Sequence, residues 1–248
     1  MNTQKALLIF FALCLIVTFS SCDEDTVTKP DDLEDGLLVH YAFNGNVEDE
    51  TGNYDEGEAI GATLTTDRDG NANSAYRFDG VNDVIELGDI LDDVELPVTI
   101  SAWVKPENAA NGIIFTSQDN LPLYNGFYLY AGGTAISTGY GDGLGENHHA
   151  YRRSKGAIDL DDHTGEWIHV CAVLEDATDM TLYVNGENVG GDYEGSSNEP
   201  MDSDFPEDVA RVGKWTSNGL TYYFKGSIDE IKVWDRALSR SEVEKDME

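Results

Sequence analysis

Residues 165–189 read GEWIHVCAVLEDATDMTLYVNGENV. Trp167 to Val173 is a short apolar run, the pattern of a strand buried on both faces. Met180, Leu182 and Val184 then share one side of a second run, because side chains alternate across a strand. Asn185 and Gly186 supply a two-residue hairpin turn before Glu187 to Val189. The stretch therefore predicts antiparallel strands and no helix.

The same texture extends outward. Leu37 to Phe43, Val84 to Leu87, Val98 to Val104, Gly112 to Phe115, Phe127 to Ala131 and Ile228 to Trp234 are rich in β-branched and aromatic residues and are separated by Gly, Asn and Asp clusters. In Val98 to Val104, Ile100, Ala102 and Val104 fall on one side. A helical apolar period appears only in the last ten residues. There Ser239 and Glu242 form a capping box and Leu238 and Val243 a hydrophobic staple, so one short C-terminal helix is expected. The fold class is an all-β antiparallel sandwich.

The chain has 248 residues, 40% of them hydrophobic and 10% aromatic, enough for one large core. Fifteen Lys and Arg against 48 Asp and Glu leave a net charge of −33. That field repels phosphate backbones and anionic headgroups, which excludes nucleic acid as a partner and leaves a lipid anchor or inserted segment as the only route to a membrane.

Lys5 is the only charge before Asp23, and Ala6 to Phe19 is an apolar run of signal-peptide length, too short to span a bilayer. Phe19, Ser20, Ser21 and Cys22 resemble a bacterial lipobox, and Asp23, Glu24 and Asp25 after it resemble the surface-export signal of Bacteroidetes lipoproteins. The resemblance implies a signal peptide over residues 1–21, lipidation of Cys22, an acidic tether over 22–35 and a folded domain over 36–248. It places the protein at the outer membrane or cell surface. Plain secretion and a retained anchor are the alternatives. Cys171 would then be the sole free thiol, and its strand context favours a packed core residue over a nucleophile.

Five stretches, LVHYAFNGNVEDETGN (38–53), YRFDGVNDVIEL (76–87), VTISAWVKP (98–106), residues 165–189, and FKGSIDEIKVWDRALSRSEVE (224–244), resemble in order the laminin-G-like jellyroll domains of the concanavalin A-like lectins and glucanases. The resemblance implies a jellyroll sandwich used in carbohydrate-binding, adhesive and receptor proteins. It fixes fold more firmly than function.

Catalytic patterns are missing from the sequence. No pair of carboxylates is spaced along one strand to flank a glycosidic bond. Asp229 and Glu230 are adjacent and should point to opposite faces. The five histidines form no zinc motif, and the glycines at 139, 141, 143 and 145 read as loop. Strict alternation puts Asp229 beside Ile231 and Val233, against the core, where a charge needs a partner or a cation. By resemblance a structural calcium is expected there, held by Asp229 with Asp79 and Asp49. The competing reading is a hydrogen bond or an arginine partner such as Arg77 or Arg236.

For a ligand surface, Tyr128 and Tyr130 should face away from Phe127, Leu129 and Ala131. Tyr140 precedes the densest cationic stretch, with His148, Tyr151 and Arg152, and Trp215 and Tyr222 follow later. Aromatic faces stack on sugars, and Tyr, His and Arg give directed hydrogen bonds. The set predicts a glycan groove, for an anionic polysaccharide if the cations line it. Otherwise half of the tyrosines fill the core and the arginines pair with surplus acids. The resulting expectation is a non-catalytic, surface-anchored carbohydrate-binding module. A protein-binding envelope module is the alternative, and a glycoside hydrolase the third.

Overall fold

The computed structural model describes residues 32–107, 112–117, 125–144, 149–153, 158–195, 200–202, 209–217 and 220–248, with 149–153 and Ser217 described by their backbone. In chain order the strands are β1 (Leu37–Tyr41), β2 (Glu58–Ile60), β3 (Thr63–Thr65), β4 (Ala75–Asp79), β5 (Val84–Gly88), β6 (Val98–Pro106), β7 (Gly112–Thr116), β8 (Phe127–Gly132) and β9 (Ala135–Gly141). They continue as β10 (His149–Arg153), β11 (Ile168–Asp176), β12 (Asp179–Val184), β13 (Glu187–Asn188), β14 (Asp192–Gly195), β15 (Ala210–Val212), β16 (Lys214–Ser217), β17 (Leu220–Tyr223) and β18 (Lys225–Trp234). One helix, α1 (Arg240–Asp246), closes the chain.

Two eight-stranded antiparallel sheets form the sandwich. The first runs β13-β12-β11-β6-β18-β4-β3, with β1 also on β18, and the second runs β14-β10-β9-β8-β7-β15-β5-β2. A two-stranded ribbon, β16-β17, forms a third, separate sheet. The hairpin read from residues 180–189 is present: β12 pairs with β13 through Asn185 and Gly186, both at positive φ.

The main core lies between the sheets and includes Tyr41, Phe43, Phe78, Phe115, Phe127, Ile100 and Leu129, all fully buried. Truncating one such ring to alanine typically costs about 3–5 kcal/mol. A second apolar cluster sits on the outer side of the first sheet, where Cys171, Val173, Tyr183 and Trp234 meet Leu238 and Val243 beneath α1. Cys171 is thus a packing residue, and burial raises its thiol well above the ordinary value. The capping box forms as read: the Ser239 hydroxyl accepts from the Glu242 N–H while the Glu242 carboxylate accepts from the Ser239 N–H. Such a cap contributes about 1 kcal/mol.

β18 departs from strict alternation. Glu230 takes φ +49°, and the register against β6 shifts between Asp229 and Lys232. Val39 and Tyr41 of β1 pair with Val233 and Ile231, whereas Phe78 and Tyr76 of β4 pair with Gly226 and Ile228. The bulge therefore sits where β18 exchanges one neighbour for the other. An inserted residue puts two side chains in a row on one face. Asp229, opposite Trp103, is on the outer face of the first sheet, away from Ile231 and Val233, and Glu230 joins it there.

Candidate functional site

Burial along β8 alternates as its sequence predicts: Phe127, Leu129 and Ala131 are buried inward, and Tyr128 and Tyr130 are half-buried on the outer face. The ribbon crosses this face. Its entry is Gly213 at φ +82°, whose N–H donates to the Ile114 carbonyl and whose own carbonyl accepts from Phe224. A Cβ at Gly213 would stand 2.5 Å from the Phe78 ring, so only glycine makes this turn. β16 then brings Trp215 opposite Tyr222 of β17. Trp215 stacks on Tyr128 at 6.1 Å between centroids and 17° between planes, and on Tyr222 at 5.8 Å and 28°. These are ordinary offset-stacking distances. The Tyr128 hydroxyl lies 3.4 Å from the Ser137 hydroxyl, and the Thr138 hydroxyl donates to the Tyr128 carbonyl at 2.8 Å.

Strand register extends this face sideways. Directly paired residues run Glu58, Glu86, Arg211, Thr116, Tyr128, Gly139, Tyr151 and Glu194, one from each strand of the second sheet. Because directly paired residues share a face, they form one row across the sheet. Toward β2 the row ends in a cleft of about 650 Å³ lined by Asn53, Tyr54, Glu58, Glu86, Asp89 and Ile90, among others. Arg211 Nε donates to Glu86 Oε1 at 3.2 Å, beside the Val209 carbonyl.

The structure brings together Tyr128, Trp215 and Tyr222, with Tyr130 on the same face. Tyr151 shares Tyr128's row by register, while Arg152 pairs with Thr138 and Tyr193, in the row of the inward-facing Leu129. Arg153, opposite Ser137, is the arginine whose register matches Tyr130. Tyr140 does not join the group: it pairs with Phe127 and is buried in the core, where burial raises its hydroxyl, with Asp176 and Asp142 adding to the effect. His148 and Cys22 lie outside the described residues.

The three expected metal ligands do not fit a cation site. Asp49 is saturated: its carboxylate accepts from the N–H groups of His40, Thr51, Asn53 and Tyr54 and from the Thr51 hydroxyl, at 2.6–3.2 Å. Five donors already exceed the lone-pair directions a carboxylate offers. Asp79 caps the turn that follows it through Val81 and Asn82. Asp229 accepts from the Glu230 N–H at 2.9 Å and faces Arg68 at 3.8 Å, while the Arg68 guanidinium lies over the Trp103 ring. Its partner is therefore an arginine, though neither Arg77 nor Arg236. Among the described residues no group of three or more His, Cys, Asp or Glu forms a metal site.

Alternation-based reading missed a polar chain on this outer face. His40 Nε2 lies 2.7 Å from Glu230 Oε2; Lys232 Nζ lies 3.4 Å from that oxygen and 2.9 Å from Asp246 Oδ1. Burial pushes Asp229 up to about 7, the Glu230 charge adding to it and the Glu230 N–H and Arg68 opposing. Burial also acts to raise Glu230, yet the His40 bond and the Lys232 charge hold it below the usual carboxylate range. Splitting two carboxyls in this way resembles an acid–base pair. The Asp229 side chain is only 2% exposed, however, so no substrate atom reaches it.

A family model described as the concanavalin A-like lectin/glucanases superfamily matches residues 79–244. The chain belongs to that superfamily. Several solved structures share its fold at low identity. Domain 4 of AbnA, an extracellular arabinanase of Geobacillus stearothermophilus solved in complex with arabinotriose, is 20% identical at TM-score 0.57, covering 86% of this chain and 98% of that one. The binding domain of Paraclostridial Mosquitocidal Protein 1 is 20% identical at TM-score 0.60, over 86% of this chain and 52% of that one. The botulinum neurotoxin serotype D ligand binding domain, solved with N-acetylneuraminic acid, is 14% identical at TM-score 0.56, over 85% and 50%. The chain thus spans about half the length of the two toxin structures. No curated protein matches it in sequence.

Proposed function

We propose that the protein is a non-catalytic carbohydrate-binding module, anchored at the outer membrane or cell surface by a lipid on Cys22 and held away from the bilayer by the acidic segment that follows. The observation that carries the reading is the Tyr128, Trp215 and Tyr222 stack on the outer face of the second sheet. Three rings gathered there, rather than in the core, offer the apolar platform that sugar C–H faces stack on. The binding of arabinotriose and of N-acetylneuraminic acid by proteins of like fold is consistent with this use.

A glycan array probed with the full chain in mild detergent tests the proposal. Retention on one glycan class is expected, and Trp215→Ala should abolish it. An array blank for the wild-type chain, or retention untouched by Trp215→Ala, refutes the reading. Export and lipidation are checked separately: Cys22→Ser should move the protein from the detergent phase to the aqueous phase.

A further inference from the structure

On the outer face of the second sheet, β9 sets Ser137 opposite Tyr130 and Gly139 opposite Tyr128. A glycine inside a strand weakens it, because it packs nothing and orders a freer backbone. Gly139 does not take a positive φ, so the chain path does not require it. Two other glycines with ordinary φ are seats for a neighbour. A Cβ at Gly57 would stand 2.8 Å from the Glu86 carbonyl oxygen, and one at Gly112 would stand 2.8 Å from Phe224 Cα and from the Phe224 ring. Phe224 is the foot of the β16-β17 ribbon, so one such seat already fixes the ribbon against β7.

Tyr128 shows what the space at 139 holds. Its hydroxyl lies 3.4 Å from Ser137 Oγ, although Ser137 is its diagonal neighbour and Gly139 its direct one. A diagonal neighbour is about 7–8 Å away, a span that a tyrosine covers only by leaning across the adjoining strand. A Cβ on the direct neighbour would rise about 5 Å from that of Tyr128, alongside the leaning ring, and a branched side chain there would take part of the space the ring occupies. Trp215 stacks on this ring at 17° between planes, and Tyr222 on Trp215 at 28°. The tilt of Tyr128 therefore sets the plane of the whole aromatic group.

We infer that Gly139 is a positioning residue of the glycan platform: its bare backbone seats the Tyr128 ring across β9, and that ring orients Trp215. The consequence for ligand rests on the carbohydrate-binding reading above, whereas the seating itself does not. Gly139 touches no sugar and acts through Tyr128. Its replacement should therefore weaken binding while leaving the fold intact.

Near-ultraviolet circular dichroism of the full chain in detergent tests the seating without a ligand. The difference between the wild type and Trp215→Ala isolates the signal of the ordered Trp215. Gly139→Ala should lose part of that signal and Gly139→Val most of it, with the melting midpoint within about 2 °C of the wild type because φ at 139 suits any residue. On the glycan array, half-maximal retention of Gly139→Val should need about tenfold more protein than the wild type, the scale of one lost aromatic contact. In a Tyr128→Ala background, Gly139→Val should change neither signal nor retention further. An unchanged Trp215 signal in Gly139→Val, a midpoint lowered by more than about 5 °C, or an equal loss in the Tyr128→Ala background would overturn the positioning role. An array blank for the wild type, beside a lost Trp215 signal in Gly139→Val, would refute the carbohydrate-binding reading and leave the seating of Tyr128 by Gly139 standing.

Discussion

His169 Nε2 lies 3.0 Å from Asp246 Oδ2, with both side chains 1% exposed, and this contact ties α1 to the outer face of the first sheet. The other Asp246 oxygen takes the Lys232 ammonium at 2.9 Å. Burial would raise the Asp246 carboxyl, but the His169 hydrogen bond and the Lys232 charge hold it well below the usual carboxylate range. Removing the shared partner leaves a buried imidazole and a largely buried ammonium uncompensated, which typically costs about 3–5 kcal/mol. Asp246→Ala should lower the urea midpoint accordingly. A loss under about 1 kcal/mol would mean that α1 is held by Leu238 and Val243 alone.

Protons act on the two ends of this network with opposite sign. Asp246 is depressed in the folded state, so its contribution is fully present above the unfolded carboxylate value of about 4 and is lost as pH falls through the lower folded value. Asp229 is raised to about 7, so its contribution is present below about pH 4 and is lost as pH rises through 7. Asp229→Asn keeps an acceptor for the Glu230 N–H and removes the ionisation. The variant should match the wild type near pH 4 and exceed it by up to about 4 kcal/mol at pH 8, read from urea midpoints at the two pH values. A constant difference across that range would show that Asp229 titrates normally.

The sequence carries the strands, the hairpin at Asn185 and Gly186 and the capping box because each depends on neighbours in the chain. Alternation alone also places Tyr128 and Tyr130 outward. It fails wherever the sheet inserts a residue. The bulge at Glu230 needs the neighbour exchange along β18, which no local pattern announces, and so Asp229 and Glu230 emerge on one face rather than two. Tyr140 illustrates a different limit: its side depends on pairing with Phe127, thirteen residues away across a turn. The row from Glu58 to Tyr128 is farther still from local reading, since its members come from strands adjacent in the sheet but distant in sequence. Only their solitary polar positions between inward-facing Ala59, Ile85 and Leu87 could have pointed to it.

Asp49 organises the first long connection. With five donors on one 7% exposed carboxylate, it holds residues 49–54 against the backbone of β1. Asp49→Ala would leave several of these N–H groups unpaired, at about 2–4 kcal/mol in total. Because the donors are N–H and O–H groups, the loss should be the same in excess calcium and in chelator. A larger loss in calcium would show that the carboxylate binds metal after all.

Gly213 and Trp215 sit two residues apart and should fail differently. Alanine at 213 must adopt φ +82° and drive its Cβ against the Phe78 ring, which is fully buried and has nowhere to retreat. The cost should be about 2–4 kcal/mol, lowering the melting midpoint by roughly 5–15 °C for a domain of this size. Trp215→Ala instead removes a half-buried ring from a ribbon already fixed by the Gly213 and Phe224 backbone bonds, so the midpoint should fall by only about 2–5 °C while glycan retention disappears. The two variants thus separate the turn that presents the aromatic stack from the stack itself. If Trp215→Ala unfolds the protein as severely as Gly213→Ala does, the ring is a structural pin between the ribbon and β8, and the binding face must be sought on Tyr130 and the remainder of the row.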